Sequence, residues 1–247
     1  MRLLADLTPS DPMLGLAIEE VLLESVRASR VETIRLWRNR RAVILGRSQS
    51  LAAEVDEARA SKLEIPILRR ISGGGTVYHY PGNLNVSVSM HKRAGFSDVS
   101  SIFASFGRLL SDALAVLSVD LHAQDNGLYI GDKKVGGAAQ AHRGVAMLYH
   151  TTLLVQPSAL PMETLLSAMR PGYCPEGIAS RPRLTTTLSE QVARLIESDE
   201  LVAPIVDALA CALGEEITVG DLTPQETQRA NELVASKYGR AEWNAKL

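Results

Sequence analysis

The chain has 247 residues, 46% of them apolar, and a formal net charge of −2 from 26 basic and 28 acidic side chains. Such a length allows one large domain or two small ones with a substantial core, and the near-neutral charge excludes the broad field that would mark nucleic acid or an anionic membrane as a partner. Two cysteines make no disulfide framework, the N-terminus shows no secretory signal, and no apolar run reads as a bilayer span, so a soluble cytoplasmic protein is expected.

In chain order, Asp11-Pro12 reads as an N-cap followed by proline in the first turn, and Leu14, Ile18, Leu22 and Val26 continue it as a helical apolar stripe. Short strands are expected over Thr33–Trp37 and Ala42–Leu45, separated by a basic run, Arg35 to Arg41, read as a solvated strand edge and turn. Leu51–Leu63 suggests a weaker helix, and Pro66–Arg70 a strand interrupted by Gly73, Gly74 and Gly75. From Asn83 to Met90 polar and apolar residues alternate without a fault. Leu84, Val86, Val88 and Met90 should face the core, and Asn83, Asn85, Ser87 and Ser89 the other side.

A helix over Ser101–Leu117 should bury Ile102, Phe103, Phe106, Leu109, Leu110, Ala113 and Leu114. Gly131-Asp132 suits a two-residue hairpin turn within Leu128–Val135, and strands follow at Gly136–Ala141 and Val145–Val155. Helices are expected near Met162–Met169, Leu188–Glu197 and Leu201–Leu213, the last with Cys211 in the core. A final helix opens on a capping box, Thr223-Pro224-Gln225-Glu226. This mixture lacks regular βαβ alternation. It predicts an α+β fold with a mixed, largely antiparallel sheet over residues 1–215 and a short helical appendage over 216–247.

Two segments carry chemistry. In Arg69-Arg70-Ile71-Ser72-Gly73-Gly74-Gly75-Thr76-Val77-Tyr78-His79, three glycines cost entropy that a plain turn rarely spends. They permit a ligand to approach main-chain N–H groups, and the arginines could meet a carboxylate or phosphate. The bland alternative is a flexible hairpin tip. No Gly-Lys-Ser/Thr follows, so this is not a Walker A loop. In Gly131-Asp132-Lys133-Lys134-Val135-Gly136-Gly137-Ala138-Ala139-Gln140, the adjacent lysines must point to opposite faces of a strand, so one can enter a pocket beside small residues. Alone, a lysine pair beside a turn is usually surface.

Together and in this order, RRISGGGTVYHYPGNLNVSVS, GDKKVGGAAQ and His150-Thr151-Thr152-Leu153-Leu154 resemble the lipoate–protein ligase A family over about residues 10 to 190. The resemblance implies the fold shared with biotin ligases and octanoyltransferases. It implies ATP-dependent activation of lipoic acid to lipoyl-AMP, with magnesium, and transfer to a lysine of a lipoyl-acceptor protein. Lys134 matches the family's essential lysine. Arg70, Ser72, Gly74, Gly75, Thr76, Val77 and His79 match the motif around the lipoyl chain and acyl phosphate, and Asn83 and Asn85 lie on the next strand. Gly137 and Ala139 match the small residues beside the lysine, His150 and Thr151 the later strand, and Asn126 an asparagine near nucleotide and magnesium.

Some features depart from the pattern. Tyr80 stands where an acidic residue is frequent, and the segment after 215 is too short for the accessory domain of long ligases. That second departure resembles catalytic chains that work with a separate small accessory subunit. The histidines lack ligand spacing to any Cys, Asp or Glu cluster, so no protein-built metal site is expected. Cys174, in the loop from Arg170 to Gly177, leaves an alternative open: an ATP-independent octanoyl or lipoyl transferase working through a thioester. A non-catalytic lipoyl-binding module is a third reading.

Overall fold

The computed structural model describes residues 1–175 and 178–247. Its largest element is an eight-stranded sheet of order β11-β1-β2-β6-β10-β9-β8-β7. The strands are β1 (Arg2–Ser10), β2 (Thr33–Asn39), β6 (Asn83–His91), β7 (Leu121–Gln124), β8 (Gly127–Ile130), β9 (Lys133–Arg143), β10 (Ala146–Leu154) and β11 (Thr218–Val219). β11, β1 and β2 run parallel, and every pairing from β2 to β7 is antiparallel. A three-stranded sheet, β4-β3-β5, is built from β3 (Ala42–Leu45), β4 (Ile67–Arg69) and β5 (Val77–His79). The helices are α1 (Pro12–Ser29), α2 (Leu51–Glu54), α3 (Glu57–Lys62), α4 (Val99–Ala113), α5 (Leu188–Val192), α6 (Val202–Leu213), α7 (Pro224–Leu233) and α8 (Ala241–Asn244). The expected mixed, largely antiparallel α+β architecture is what forms.

The two faces of the large sheet are covered differently. Leu84, Val86, Val88 and Met90 of β6, with Met147, Tyr149 and Leu153 of β10, form one apolar cluster with Ile102, Phe106 and Leu110 of α4 and Leu209 of α6. The alternate residues of β6, Asn83, Asn85, Ser87 and Ser89, are equally buried. They face the side that α1 covers, where Ser87 Oγ donates to Glu19 at 2.6 Å and accepts from Trp37 Nε1 at 2.9 Å. Burial on both faces favours a partner for each polar residue, yet among the described residues Ser89 Oγ and the Nδ2 atoms of Asn83 and Asn85 meet none.

α1 starts as the sequence requires: the Asp11 carboxylate accepts from the Met13 and Leu14 N–H groups, with Pro12 in the first turn. Ile18, Leu22 and Val26 are buried and Leu14 is half-buried. Gly15 is required by packing, since a Cβ there would stand 2.5 Å from the Trp37 ring. Glu20, on the buried side of α1, is met by Arg143, Lys237 and Tyr238. Beyond residue 215, β11 pairs with β1 and α7 packs on α1. Arg2 there grips Glu226 through two 2.8 Å bonds, and Trp243 Nε1 donates to the Arg69 carbonyl at 2.7 Å.

Several expectations change. Arg35 is no solvated edge residue: it is buried, lies 4.2 Å over the Trp37 ring, and donates to the Gly15 carbonyl at 2.8 Å. The helix expected over Leu51–Leu63 breaks into α2 and α3 at Val55, whose backbone is extended and bridges Leu166. Met162–Met169 forms two 3₁₀ turns, and α5 stops at Val192 because Ala193 turns left-handed at φ 56°. Phe103 is only half-buried. Cys211 is exposed, because the buried stripe of α6 is Ile205 and Leu209, in line with Leu201 just before it, and two residues past Leu209 lies on the helix's far side. Val99–Leu117, with a mean hydropathy of 1.3, is long and apolar enough to cross a membrane, contrary to expectation. Here its apolar stripe packs on the sheet as α4 and the 3₁₀ turn after it.

Candidate active site

The α1-side face of the large sheet and the small sheet enclose a cavity of about 560 Å³. Leu16, Ile44, Leu154, Met162, Leu166 and Met169 give it an apolar wall. Its polar groups come chiefly from the β4–β5 loop, from β9 and β10, and from residues 178–185, joined by Glu19 of α1, Glu54 of α2, Asn85 of β6 and Asn126. This is the usual design of a small-molecule site: an apolar body with few convergent polar groups.

Lys134 reaches the cavity because β9 is irregular. Gly137 and Ala139, opposite Thr152 and His150 of β10, share the cavity face. Strict alternation would therefore put Val135 on that face and Lys134 on the other. The register of β9 on β8 slips here: Leu128 faces Gly136, but Tyr129 faces Lys134. Val135 is the extra residue of a bulge; it enters the apolar core, and Lys134 is re-aimed into the cavity. The side chain lies over Gly137, where a Cβ would sit 3.2 Å from Nζ. Burial, with the Arg183 charge added, lowers the Lys134 ammonium from its usual 10.5. Lys133 is exposed.

The glycine loop is a braced structure. Gly74 adopts φ +85°, a left-handed conformation that glycine takes without strain. Gly75 leaves room for Ser180, whose Oγ would lie 3.0 Å from an added Cβ. Both arginines serve the backbone rather than standing free for a ligand, Arg70 bracing the loop itself and Arg69 the neighbouring 46–49 turn. Arg70 is buried and donates to Ser72 Oγ and to the carbonyls of Ile44, Gly73 and Gly75. Arg69 is buried and donates to the carbonyls of Gly46, Arg47, Gln49 and Asn244. Burial pulls the Arg70 guanidinium down to about 10, so it stays charged at neutral pH.

Two histidines anchor hydrogen-bond chains. His150 Nδ1 donates to both oxygens of Glu19 at 2.9 Å, and its Nε2 lies 2.7 Å from Ser72 Oγ. Burial alone would raise the Glu19 carboxyl. The His150 ring, Ser87 hydroxyl and Arg35 charge outweigh it and hold it below the usual carboxylate range. His79 Nδ1 lies 2.9 Å from Asn39 Nδ2, which can only donate, so the ring proton is on Nε2 and goes to Thr152 Oγ1 at 3.0 Å. Thr152 Oγ1 in turn donates to Asn85 Oδ1 at 2.8 Å. Buried and already satisfied in its neutral form, His79 is pushed down to about 3, with burial the largest cause.

Arg70, Gly74, Gly75, Thr76, Val77, His79, Asn85, Asn126, Lys134, Gly137, Ala139, His150 and Thr151 all line the cavity. Ser72 and Asn83 stand behind it. Ser72 joins Arg70 to His150, while Asn83 Oδ1 caps the Tyr80 N–H at 2.7 Å. Tyr80 is buried, its hydroxyl donating to the Gln156 carbonyl.

Sequence reasoning missed Glu19, Trp37, Gln49, Glu54 and Ser180. The Glu54 carboxylate accepts from Ser180 Oγ at 2.5 Å and from its N–H, and Ser180 Oγ accepts from Thr76 N–H and Gln49 Nε2. These bonds tie the 178–185 segment to the glycine loop. Their only early signal was a glutamate on an otherwise weak helical stretch and a glutamine just before it. Cys174 is exposed and is not among the residues lining the cavity. Glu176 and Gly177, in the same loop, lie outside the described residues.

The comparisons agree with one another. The profile of the lipoyl protein ligase A/B catalytic domain matches residues 11–210. A candidate lipoate-protein ligase A of Aeropyrum pernix is 32% identical, over 94% of this chain and 88% of its own. Three solved structures superpose with a TM-score of 0.84. A candidate lipoate protein ligase of T. acidophilum with bound lipoic acid is 27% identical and covers 99% of this chain and 98% of its own. A bi-partite lipoate protein ligase of Thermoplasma acidophilum, studied with its E2 lipoyl domain, is 26% identical over 99% and 95%. A lipoate-protein ligase A bound with ATP is 27% identical over 99% and 98%. With a family profile spanning most of the chain and a relative of this identity over nearly its full length, the chain belongs to the lipoyl protein ligase A/B catalytic domain family.

Proposed function

We propose that the chain activates lipoate with ATP to form lipoyl-AMP and then transfers the lipoyl group to a lysine of an acceptor protein. The observation that carries this reading is the bulge-directed Lys134 ammonium, set among small residues at the polar end of an apolar cavity. In the first step a lipoate carboxylate oxygen bonds to the α-phosphorus, and the bond from that phosphorus to the bridging oxygen breaks to release pyrophosphate. Lys134 holds carboxylate and α-phosphate oxygens together, sparing the approach of two like-charged groups. In the second step the acceptor amine bonds to the acyl carbon and loses a proton as AMP departs. Lys134 then stabilises the oxyanion. The apolar wall suits the acyl chain, and Gly137 and Ala139 leave the space beside the ammonium.

Magnesium belongs to this reading as a companion of the nucleotide. Among the described residues no three His, Cys, Asp or Glu side chains gather to hold a metal, and the cavity carboxylates Glu19 and Glu54 are engaged by His150 and Ser180. A hard cation carried on phosphate oxygens fits that donor set. Asn126, whose Nδ2 is committed to the Ala138 carbonyl at 2.9 Å, offers its Oδ1 as the side-chain ligand. Bound there, the ion would neutralise the triphosphate and the leaving pyrophosphate.

A separate small accessory subunit completes the proposal, in keeping with the bi-partite relative. The test is pyrophosphate release from lipoate and ATP, with and without a candidate partner, followed by mass analysis of the acceptor. Turnover without ATP, with an acyl group trapped on Cys174 from an acyl-carrier donor, would replace the ligase by a transferase.

A further inference from the structure

The segment carrying Arg181 and Arg183 is held at both ends. Before it, Ser180 is bonded to Glu54, Thr76 and Gln49. After it, residues 184–186 pair with β9 where β10 has left it. β10 pairs with β9 only as far as Leu153 opposite Gly136. Beyond that point Lys134 N–H donates to the Leu184 carbonyl at 2.7 Å, Thr186 N–H donates to the Lys134 carbonyl at 3.0 Å, and Lys134 and Thr185 form a parallel bridge. Leu184 points outward, 67% exposed, while Arg181, Pro182, Arg183 and Thr185 border the cavity, the two arginines standing exposed at its mouth.

The result is three cations, Lys134, Arg181 and Arg183, around one opening. Among the described residues neither arginine forms an ion pair with a carboxylate, and neither cavity carboxylate is free to face them. Like charges gathered on a backbone fixed at both ends are unfavourable until a polyanion joins them. Arginine forks suit phosphate oxygens in bidentate fashion.

We propose that Arg181 and Arg183 form the pyrophosphate clamp of this site, binding the β- and γ-phosphates of the nucleotide and receiving the negative charge of the leaving group. The inference rests on the adenylating function proposed above. As the bond between the α-phosphorus and the bridging oxygen breaks, its electron pair leaves on that oxygen, and the two guanidinium groups meet the charge that develops. Transfer from lipoyl-AMP to the acceptor involves no pyrophosphate and needs no clamp.

The test uses the full chain, the Arg181→Ala and Arg183→Ala variants and their double variant, with thermal melting to confirm folding. Calorimetry with magnesium pyrophosphate reads the clamp directly. The double variant should bind it roughly ten- to a hundredfold more weakly, the size expected for losing charge-assisted bonds. ATP–pyrophosphate exchange should fall by a similar factor, with KM for ATP raised and KM for lipoate unchanged. Transfer from supplied lipoyl-AMP should fall far less than exchange does. Equal pyrophosphate binding by wild type and double variant would overturn the clamp. So would a loss confined to the transfer step with KM for the acceptor raised, which would make the arginines a docking surface for an acidic protein. A wild type that binds pyrophosphate but shows no exchange with lipoate and ATP, with the accessory subunit as well as without it, would sink the adenylating function instead, and the calorimetry would still decide the clamp.

Discussion

The two faces of the large sheet divide the labour of the molecule. Toward α4 and α6 the strands present Leu84, Val86, Val88, Met147 and Leu153, all fully dry. Toward α1 the same strands present Asn85, Ser87, His150 and Thr152, each hydrogen-bonded, beside a cavity. The first face gains stability from apolar burial that tolerates no voids. The second carries polar groups whose burial must be offset bond by bond, and it leaves space unfilled. Stability and chemistry are thus separable by direction across one strand.

The sharpest test of that division is Lys134→Ala. Adenylation and transfer should both fall by roughly a hundred- to a thousandfold, the range for losing a key electrostatic group, with an unchanged melting temperature. A variant as active as wild type would remove Lys134 from the mechanism. Leu84→Ala should do the reverse. Stability should drop by about 2–5 kcal/mol, as for large-to-small changes in a packed core, while the folded fraction keeps its turnover number; denaturant melts and active-site titration check both.

Acid should act through the wet face. His79 is held down to about 3 in the fold, whereas an unfolded histidine titrates near its usual 6.5, so between those values the unfolded chain binds the extra proton. Its contribution is therefore intact above about pH 6.5 and is lost progressively toward pH 3, at up to ~1.4 kcal/mol per pH unit. Urea melts at several pH values should show that slope, and His79→Gln should flatten it. A variant with the wild-type slope would assign the acid sensitivity elsewhere.

Gly137→Ala is a milder probe. Its Cβ would stand 3.2 Å from Lys134 Nζ, so the ammonium must shift by a few tenths of an ångström. We expect kcat to fall by about tenfold, since small misplacements at a reacting centre are costly, with little change in melting temperature. The smallest effect belongs to Lys133→Ala and Cys174→Ser. Both side chains are exposed and off the cavity, and each variant should match wild type in lipoyl transfer. Loss of activity in the cysteine variant would favour the thioester route.

Much of this was legible in the sequence. Unbroken alternation from Asn83 to Met90 fixed a strand with two distinct faces, Asp11-Pro12 and Thr223 to Glu226 fixed two helix starts, and Gly131-Asp132 fixed a hairpin turn. All are local, because capping, turn geometry and side-chain period involve neighbours within a few residues. The glycine run and the lysine pair also stood out, through the family they resemble. Strand β1 and the short β11 did not, because their pairing depends on partners far away in sequence; β7 pairs locally with β8, but its four residues are mostly exposed and carry no apolar pattern. Local pattern could say that Lys133 and Lys134 diverge but not which one enters the cavity; the β8–β9 register slip decides that, and a slip exists only once two strands are paired. Nor could it find Glu19 for His150, 131 residues away, or Ser180 for Glu54, 126 residues away. Periodicity reports which side a residue faces. What waits for it there is set by whichever element the tertiary fold brings across, and a buried carboxylate becomes intelligible only with its partner in place.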